Sequence, residues 1–165
     1  MKKAAVLMGS ENDYPSVKKC LEVLKAFDIP FEAHVFSAHR APERVAEFAQ
    51  AAEEGGFGVI VAAAGKAAHL AGAVAARTTL PVVGLPVAAS QLDGLDALLS
   101  TVQMPSGIPV ATVAIGGAEN AGLLAAQILA VGDGALAAKV RAHREALKAD
   151  ALGKDARFQK TLTQE

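Results

Sequence analysis

Short, mostly apolar runs alternate along the chain with stretches in which apolar positions recur every three or four residues. Ala4 to Met8, Phe31 to Phe36, Gly58 to Ala63, Pro81 to Val87 and Pro109 to Ile115 are of the first kind. A strand buried on both faces reads this way, because neither of its alternating sets of side chains meets water. Of the second kind, Val17, Leu21, Leu24 and Phe27 follow Asp13 and Pro15 and predict a helix that closes at Asp28-Ile29-Pro30. Val45, Phe48, Ala49 and Ala52 mark a second helix, which Gly55-Gly56 stops. Ala67 to Ala76, Leu92 to Val102 and Glu119 to Val131 predict three more, the last opened by Gly116-Gly117. Strands alternating with helices predict an α/β domain with a five-stranded, doubly wound parallel sheet covered on both faces. Residues 1–165 read as one domain, of which about 133–165 is a C-terminal extension: a charged helix from Asp133 to about Leu152, then a loose tail beyond Gly153.

Composition narrows the class. A formal net charge of −1 without a dense basic run argues against a nucleic-acid partner, which needs clustered Lys and Arg. No run of about 20 apolar residues offers a membrane span, and Met1-Lys2-Lys3 leads straight into a strand, so a cytoplasmic protein is expected. Cys20 is the only cysteine and sits among Val17, Leu21 and Leu24, which predicts a buried structural thiol. Charged residues are 20% of the chain, and Ala67 to Ala76 and Asn120 to Val131 are apolar on almost every side. A helix apolar all round must be buried all round, so these two helices predict homo-oligomerisation.

The candidate chemistry lies where strands end. In a doubly wound sheet, ligands bind beyond the carboxyl ends of the strands where the winding reverses. The first three strands end in Gly9-Ser10, in Ser37-Ala38-His39-Arg40 and in Ala64-Gly65-Lys66, and the order 2-1-3-4-5 would bring these loops together. Ser10, Ser37 and Arg40 suit a phosphate, and Asp13, which would repel phosphate, suits a sugar diol. An imidazole can both give and take a proton under mild conditions, so His39 suits proton transfer. Each has a plainer reading: Asp13 fits a helix N-cap equally well, Ser10 an ordinary turn, Lys66 a solvated loop charge and His69 a hydrogen-bonded interface residue. His34 and His143 carry no assigned function. No His, Cys or carboxylate set has metal-ligand spacing, so neither a metal nor another cofactor is expected.

Four segments together resemble the N5-carboxyaminoimidazole ribonucleotide mutase family of de novo purine synthesis: Met8 to Asp13, Ser37 to Pro42, Gly65 to Leu70, and Leu99 to Pro105. Asn120 to Leu129 also matches, and the likeness runs in order from about Ala4 to Val131. The resemblance implies a flavodoxin-like three-layer sandwich assembled as an octamer with its sites near subunit interfaces. It implies that Ser10, Ser37 and Arg40 hold the substrate phosphate, Asp13 the ribose hydroxyls, and that His39 moves the proton. Ala38, Gly65, His69 and Leu70 would complete the substrate site around the aminoimidazole. The chain departs from the family pattern at Asn12, Tyr14, Lys66 and Ala71, where serine, tryptophan, glycine and proline are usual.

The implied reaction moves a carboxylate from the exocyclic nitrogen to ring carbon four by loss and recapture of CO2. Ala62, Ala63 and Ala64 suggest an apolar wall that retains the gas. The nearest rival is direct carboxylation of aminoimidazole ribonucleotide with CO2; a lysine is usual there where this chain has Arg40. A non-catalytic, phosphate-binding flavodoxin-like module is the remote alternative. With 4% aromatic residues and no tryptophan, a flavin site is disfavoured. So is a phosphoacceptor domain, because the third strand ends in alanines rather than an aspartate.

Overall fold

A computed structural model describes residues 1–89 and 92–163. Strands β1 (Lys3–Met8), β2 (Phe31–Val35), β3 (Phe57–Gly65), β4 (Val82–Val87) and β5 (Ala111–Thr112) form one parallel sheet in the order β2-β1-β3-β4-β5. This is the flavodoxin-like order, with its winding reversal between β1 and β3. Val6 stands beside Ala33 on one side and Val61 on the other, and Val61 in turn beside Val83.

The continuous apolar strands serve two cores. Val6, Met8, Val59, Val61 and Leu85 face α1 (Tyr14–Ala26), α5 (Ala118–Ala130) and the start of α6 (Gly134–Leu162). Ala5, Leu7, Ile60, Ala62 and Val82 face α2 (Pro42–Ala51) and α3 (Leu70–Ala75). Successive side chains on one strand thus enter opposite layers. Helix α4 (Leu95–Val102) packs on β4. The close approach requires Gly84, where a Cβ would overlap Thr101 Cγ2 and come within 2.8 Å of Val110 Cγ1. Cys20 is buried, and burial pushes its thiol up to about 12.

Three expectations need correction. The fifth strand, expected from Pro109 to Ile115, pairs only over Ala111–Thr112. Gly84 and Pro86 both turn their carbonyls to the β5 side, accepting from Val113 N and Gly116 N at 3.0 and 2.9 Å. A strand residue's N–H points the same way as its C=O, so the ladder loses a donor at Pro86 and pairing stops there. The tail expected to be loose beyond Gly153 is instead helix: α6 runs through that glycine to Leu162. Its sequence beyond Leu152 is rich in helix formers, and Lys154 pairs with Asp150 at 2.7 Å one turn away. The last two residues of that expected tail lie outside the described ones. Finally, the two helices expected to need a partner are packed within the chain: α5 between α1 and α6 and over β3 and β4, and α3 against α2, β3 and β4. Val131, at the C-cap of α5, stays exposed, and further exposed apolar side chains form a stripe of Leu95, Leu99 and Val102 on α4 and stand at Leu147, Leu152, Phe158 and Leu162 on α6.

Candidate active site

Beyond the carboxyl ends of β1, β2 and β3 lies an open cavity of about 600 Å³. Ser10, Asp13, Ser37, Ala38, His39, Arg40, Gly65, His69 and Leu70 all line it. The strand order explains the convergence: β1 lies between β2 and β3, so their three loops are neighbours.

The β1 loop is fixed by reciprocal bonds. Ser10 Oγ accepts from Asn12 N at 3.3 Å, and the Asp13 carboxylate accepts from Ser10 N at 3.0 Å. This is a capping box on the 3-10 turn Glu11–Asp13, so Asp13 occupies the N-cap position of α1 without using its side chain to cap it. The carboxylate is buried, with 7% of the residue exposed. Burial raises its pKa above the ordinary carboxylate value, and the Ser10 N–H only partly offsets this. The folded state therefore holds that proton more tightly than the unfolded chain does. The resulting loss of stability is absent at low pH, grows as pH rises from the unfolded carboxylate range through the folded pKa, and is complete above it. Asp13→Asn, whose amide oxygen can still accept from Ser10 N, should melt at a higher temperature than the unsubstituted protein at pH 7. The gap should close towards pH 3. Calorimetry across that range checks both the sign and the window.

In the β2 loop, Ser37 Oγ accepts from Arg40 N at 3.2 Å and from Arg40 Nε at 3.3 Å, and Ala41 N closes the turn onto Ser37 O at 3.0 Å. Ser37 thereby orients the guanidinium by its Nε edge and leaves the terminal nitrogens for a ligand. No carboxylate among the described residues pairs with Arg40. Its charge is available to an anion.

His39 and His69 come from different loops and meet. His39 Nε2 lies 2.8 Å from His69 Nδ1, with the rings 4.9 Å apart and nearly perpendicular. One ring must supply the proton between them, so the pair couples the protonation of two imidazoles that the sequence placed 30 residues apart. His69 sits at the start of α3, on a loop that Ser100 holds from α4: Ser100 Oγ accepts from Ala68 N at 3.0 Å and gives its own proton to Asp96 O at 2.6 Å, with Lys66 O a further contact at 3.3 Å. Buried Thr101 Oγ1 donates to Ala97 O at 2.7 Å within α4 and lies 3.4 Å from Ala68 O. Sequence reasoning assigned Ser100 and Thr101 no role, although both belong to the Leu99 to Pro105 segment; only the fold shows what they hold.

Gly65 is needed where it stands, since a Cβ there would lie 2.7 Å from Ala89 Cβ and 3.1 Å from Val87 O. Ala89, after β4, also lines the cavity and was not anticipated. The alanine wall is different from the one expected. Ala62 and Ala63 are buried in the sheet, and of that trio only Ala64 reaches the cavity, where Ala38, Ala67 and Ala89 join it. Among the described residues no three His, Cys, Asp or Glu side chains are grouped to hold a metal ion.

Residues 3–150 match the AIR carboxylase family. The chain is 53% identical over 152 residues to an N5-carboxyaminoimidazole ribonucleotide mutase of Saccharolobus solfataricus, covering 92% of this chain and 96% of that protein. It is 50% identical to a mutase of the same name from Thermotoga maritima, covering 96% and 93%. The crystal structure of Treponema denticola PurE superposes with a TM-score of 0.83 at 28% identity, covering 93% of this chain and 96% of that one.

Proposed function

The chain belongs to the AIR carboxylase family, and from that membership we propose that it converts N5-carboxyaminoimidazole ribonucleotide to 4-carboxy-5-aminoimidazole ribonucleotide in purine synthesis, as an isomerase. Relatives about half identical over nearly the whole chain carry the mutase name. The observation that supports the reading most directly is the arrangement of the cavity, where an imidazole pair lies beside an oriented, unpaired guanidinium. In this reading Arg40, Ser37 and Ser10 take the phosphate, Asp13 the ribose diol, and Ala38, Gly65, His69 and Leu70 surround the base.

The chemistry needs one proton out and one back. His39 delivers a proton to the exocyclic nitrogen as the carbamate C–N bond breaks and CO2 leaves, giving the aminoimidazole. Ring carbon four, made electron-rich by that amine, then attacks CO2, and His39 takes the proton from carbon four to restore the aromatic ring. The proton balance is zero, so one group that both gives and takes a proton serves the whole cycle. His69, bonded to His39 Nε2, is placed to fix which ring nitrogen carries the proton. Ala38, Ala64, Ala67 and Ala89 offer CO2 no polar partner and hold it beside the ring.

The reading extends to a cytoplasmic homo-octamer that needs no metal and no nucleotide triphosphate. The apolar stripe on α4 and the exposed leucines and Phe158 of α6 support association with further copies. No helix among the described residues is long and apolar enough to cross a membrane. One experiment tests the reaction against direct carboxylation. Carbamate substrate labelled in its carboxyl group, incubated in unlabelled bicarbonate with a chelator present, should give product labelled at carbon four. Complete loss of label to the buffer would mean that CO2 comes from solution.

A further inference from the structure

Lys66 has a left-handed backbone, φ +57°, at the end of β3. Among the described residues, the other non-glycine residues with positive φ are aspartates, Asp28 and Asp93, whose short side chains tolerate that region. Lysine has no such compensation, and a strained residue at a cavity is a reason to look for function. The loop just beyond Lys66 is held from α4, where Ser100 Oγ accepts from Ala68 N at 3.0 Å. Lys66 is exposed, lines the cavity, and forms no ion pair among the described residues. The cavity is therefore lined by two basic side chains without an ion-pair partner among the described residues, Arg40 beyond β2 and Lys66 beyond β3. With β1 between them, these strand ends stand about 10 Å apart at the usual spacing of neighbouring strands. A nucleotide that carries a phosphate at one end and a carboxylate on its base presents two anions to such a pair of loops.

We propose that Lys66 binds the carboxylate of the substrate and product, and so makes the site favour carboxylated over decarboxylated nucleotide. The assignment rests on the mutase reading above. Arg40, whose planar fork is oriented by Ser37, matches phosphate; the flexible point charge of Lys66 suits a carboxylate that changes position on the ring during turnover. Because the carboxylate is bound in both ground states, the ammonium contributes to affinity rather than to the bond-breaking step.

The test compares Lys66→Met, Lys66→Gly and Lys66→Arg. Titration calorimetry with 4-carboxy-5-aminoimidazole ribonucleotide and with 5-aminoimidazole ribonucleotide gives the two affinities. Met and Gly should each weaken the carboxylated nucleotide about tenfold, the scale of one charge-assisted contact in a wet site, and leave the decarboxylated one within about twofold. Arg should restore most of the difference, and the preference of the unsubstituted protein should shrink with added salt. Turnover of the carbamate should show KM raised with kcat little changed. Glycine relieves the backbone strain and methionine does not, so Lys66→Gly should melt higher than Lys66→Met while both share the binding defect. Equal weakening of both nucleotides, or of neither, would overturn the assignment even where the unsubstituted protein turns over the carbamate. Failure of the unsubstituted protein to bind either nucleotide would instead overturn the functional reading, and this assignment with it.

Discussion

His39→Asn should lose about 100-fold or more in turnover, the scale of a removed general acid–base group, and bind nucleotide within about tenfold, roughly 1.4 kcal/mol. The side chain is exposed, so its replacement opens no void in either core, and the asparagine amide keeps the size and much of the hydrogen-bonding capacity of the ring. The amide cannot pick up and release a proton near neutrality. Exchange of the ring carbon-four proton with solvent should therefore fall along with turnover, while light scattering should report the same particle size for variant and unsubstituted protein. The 2.8 Å contact with His69 makes the comparison sharper. If His39 only held His69 in place, His69→Asn would be the more damaging change and His39→Asn would lose binding together with rate. Near-normal turnover by folded His39→Asn would remove it as proton carrier and leave His69 as the candidate. A variant that scatters as a smaller particle than the unsubstituted protein would say that the loop belongs to an interface.

The parts of the fold that burial alone decides were legible in the sequence. Ala4 to Met8 and Gly58 to Ala63 lack alternation because β1 and β3 have a helical layer on each side, and that condition leaves its mark in the residues themselves. Where several weak preferences compete, reading the chain in isolation went astray. Pro86 sits in β4, yet its missing N–H shortens β5, a consequence that appears only once the two strands are neighbours. Gly153 looked like a helix stop and is an interior residue of α6, because the pairing of Asp150 with Lys154 and the flanking helix formers outweigh one glycine, about 1 kcal/mol.

The candidate site divides in the same way. The three loop segments were visible because turn residues end each apolar run, and the strand order then brings them into one cavity. What the sequence left out is the second set of contacts. Nothing in Ser100 signals that it holds the loop between β3 and α3 through Ala68 N, since it sits in a helix with ordinary periodicity. The meeting of His39 with His69, the burial that raises the pKa of Asp13 and the unpaired state of Lys66 are likewise properties of placement, not of residue type.

Arg40→Ala should weaken nucleotide binding by about 1.5 to 3 kcal/mol, the range for hydrogen bonds to charged groups, which is roughly 10- to 150-fold in Kd. Arg40 is exposed, and its only side-chain partner among the described residues is Ser37 Oγ at 3.3 Å, so folding stability should move by no more than about 0.5 kcal/mol. The loss should depend on the ligand. With the corresponding nucleoside, which has no phosphate, Arg40→Ala and the unsubstituted protein should bind alike, because the partner of the guanidinium is absent from both complexes. Ser37→Ala should show a weaker form of the same pattern: the charge remains, but the bond that aims it is gone. Added salt should narrow the gap between unsubstituted protein and Arg40→Ala for the nucleotide, since the site is open to solvent. Titration of nucleotide and nucleoside into the three proteins separates the possibilities. An equal loss on both ligands would assign Arg40 to the folding of its loop or to the chemistry at the base, and the phosphate would have to be held from the Gly9-Ser10 turn alone.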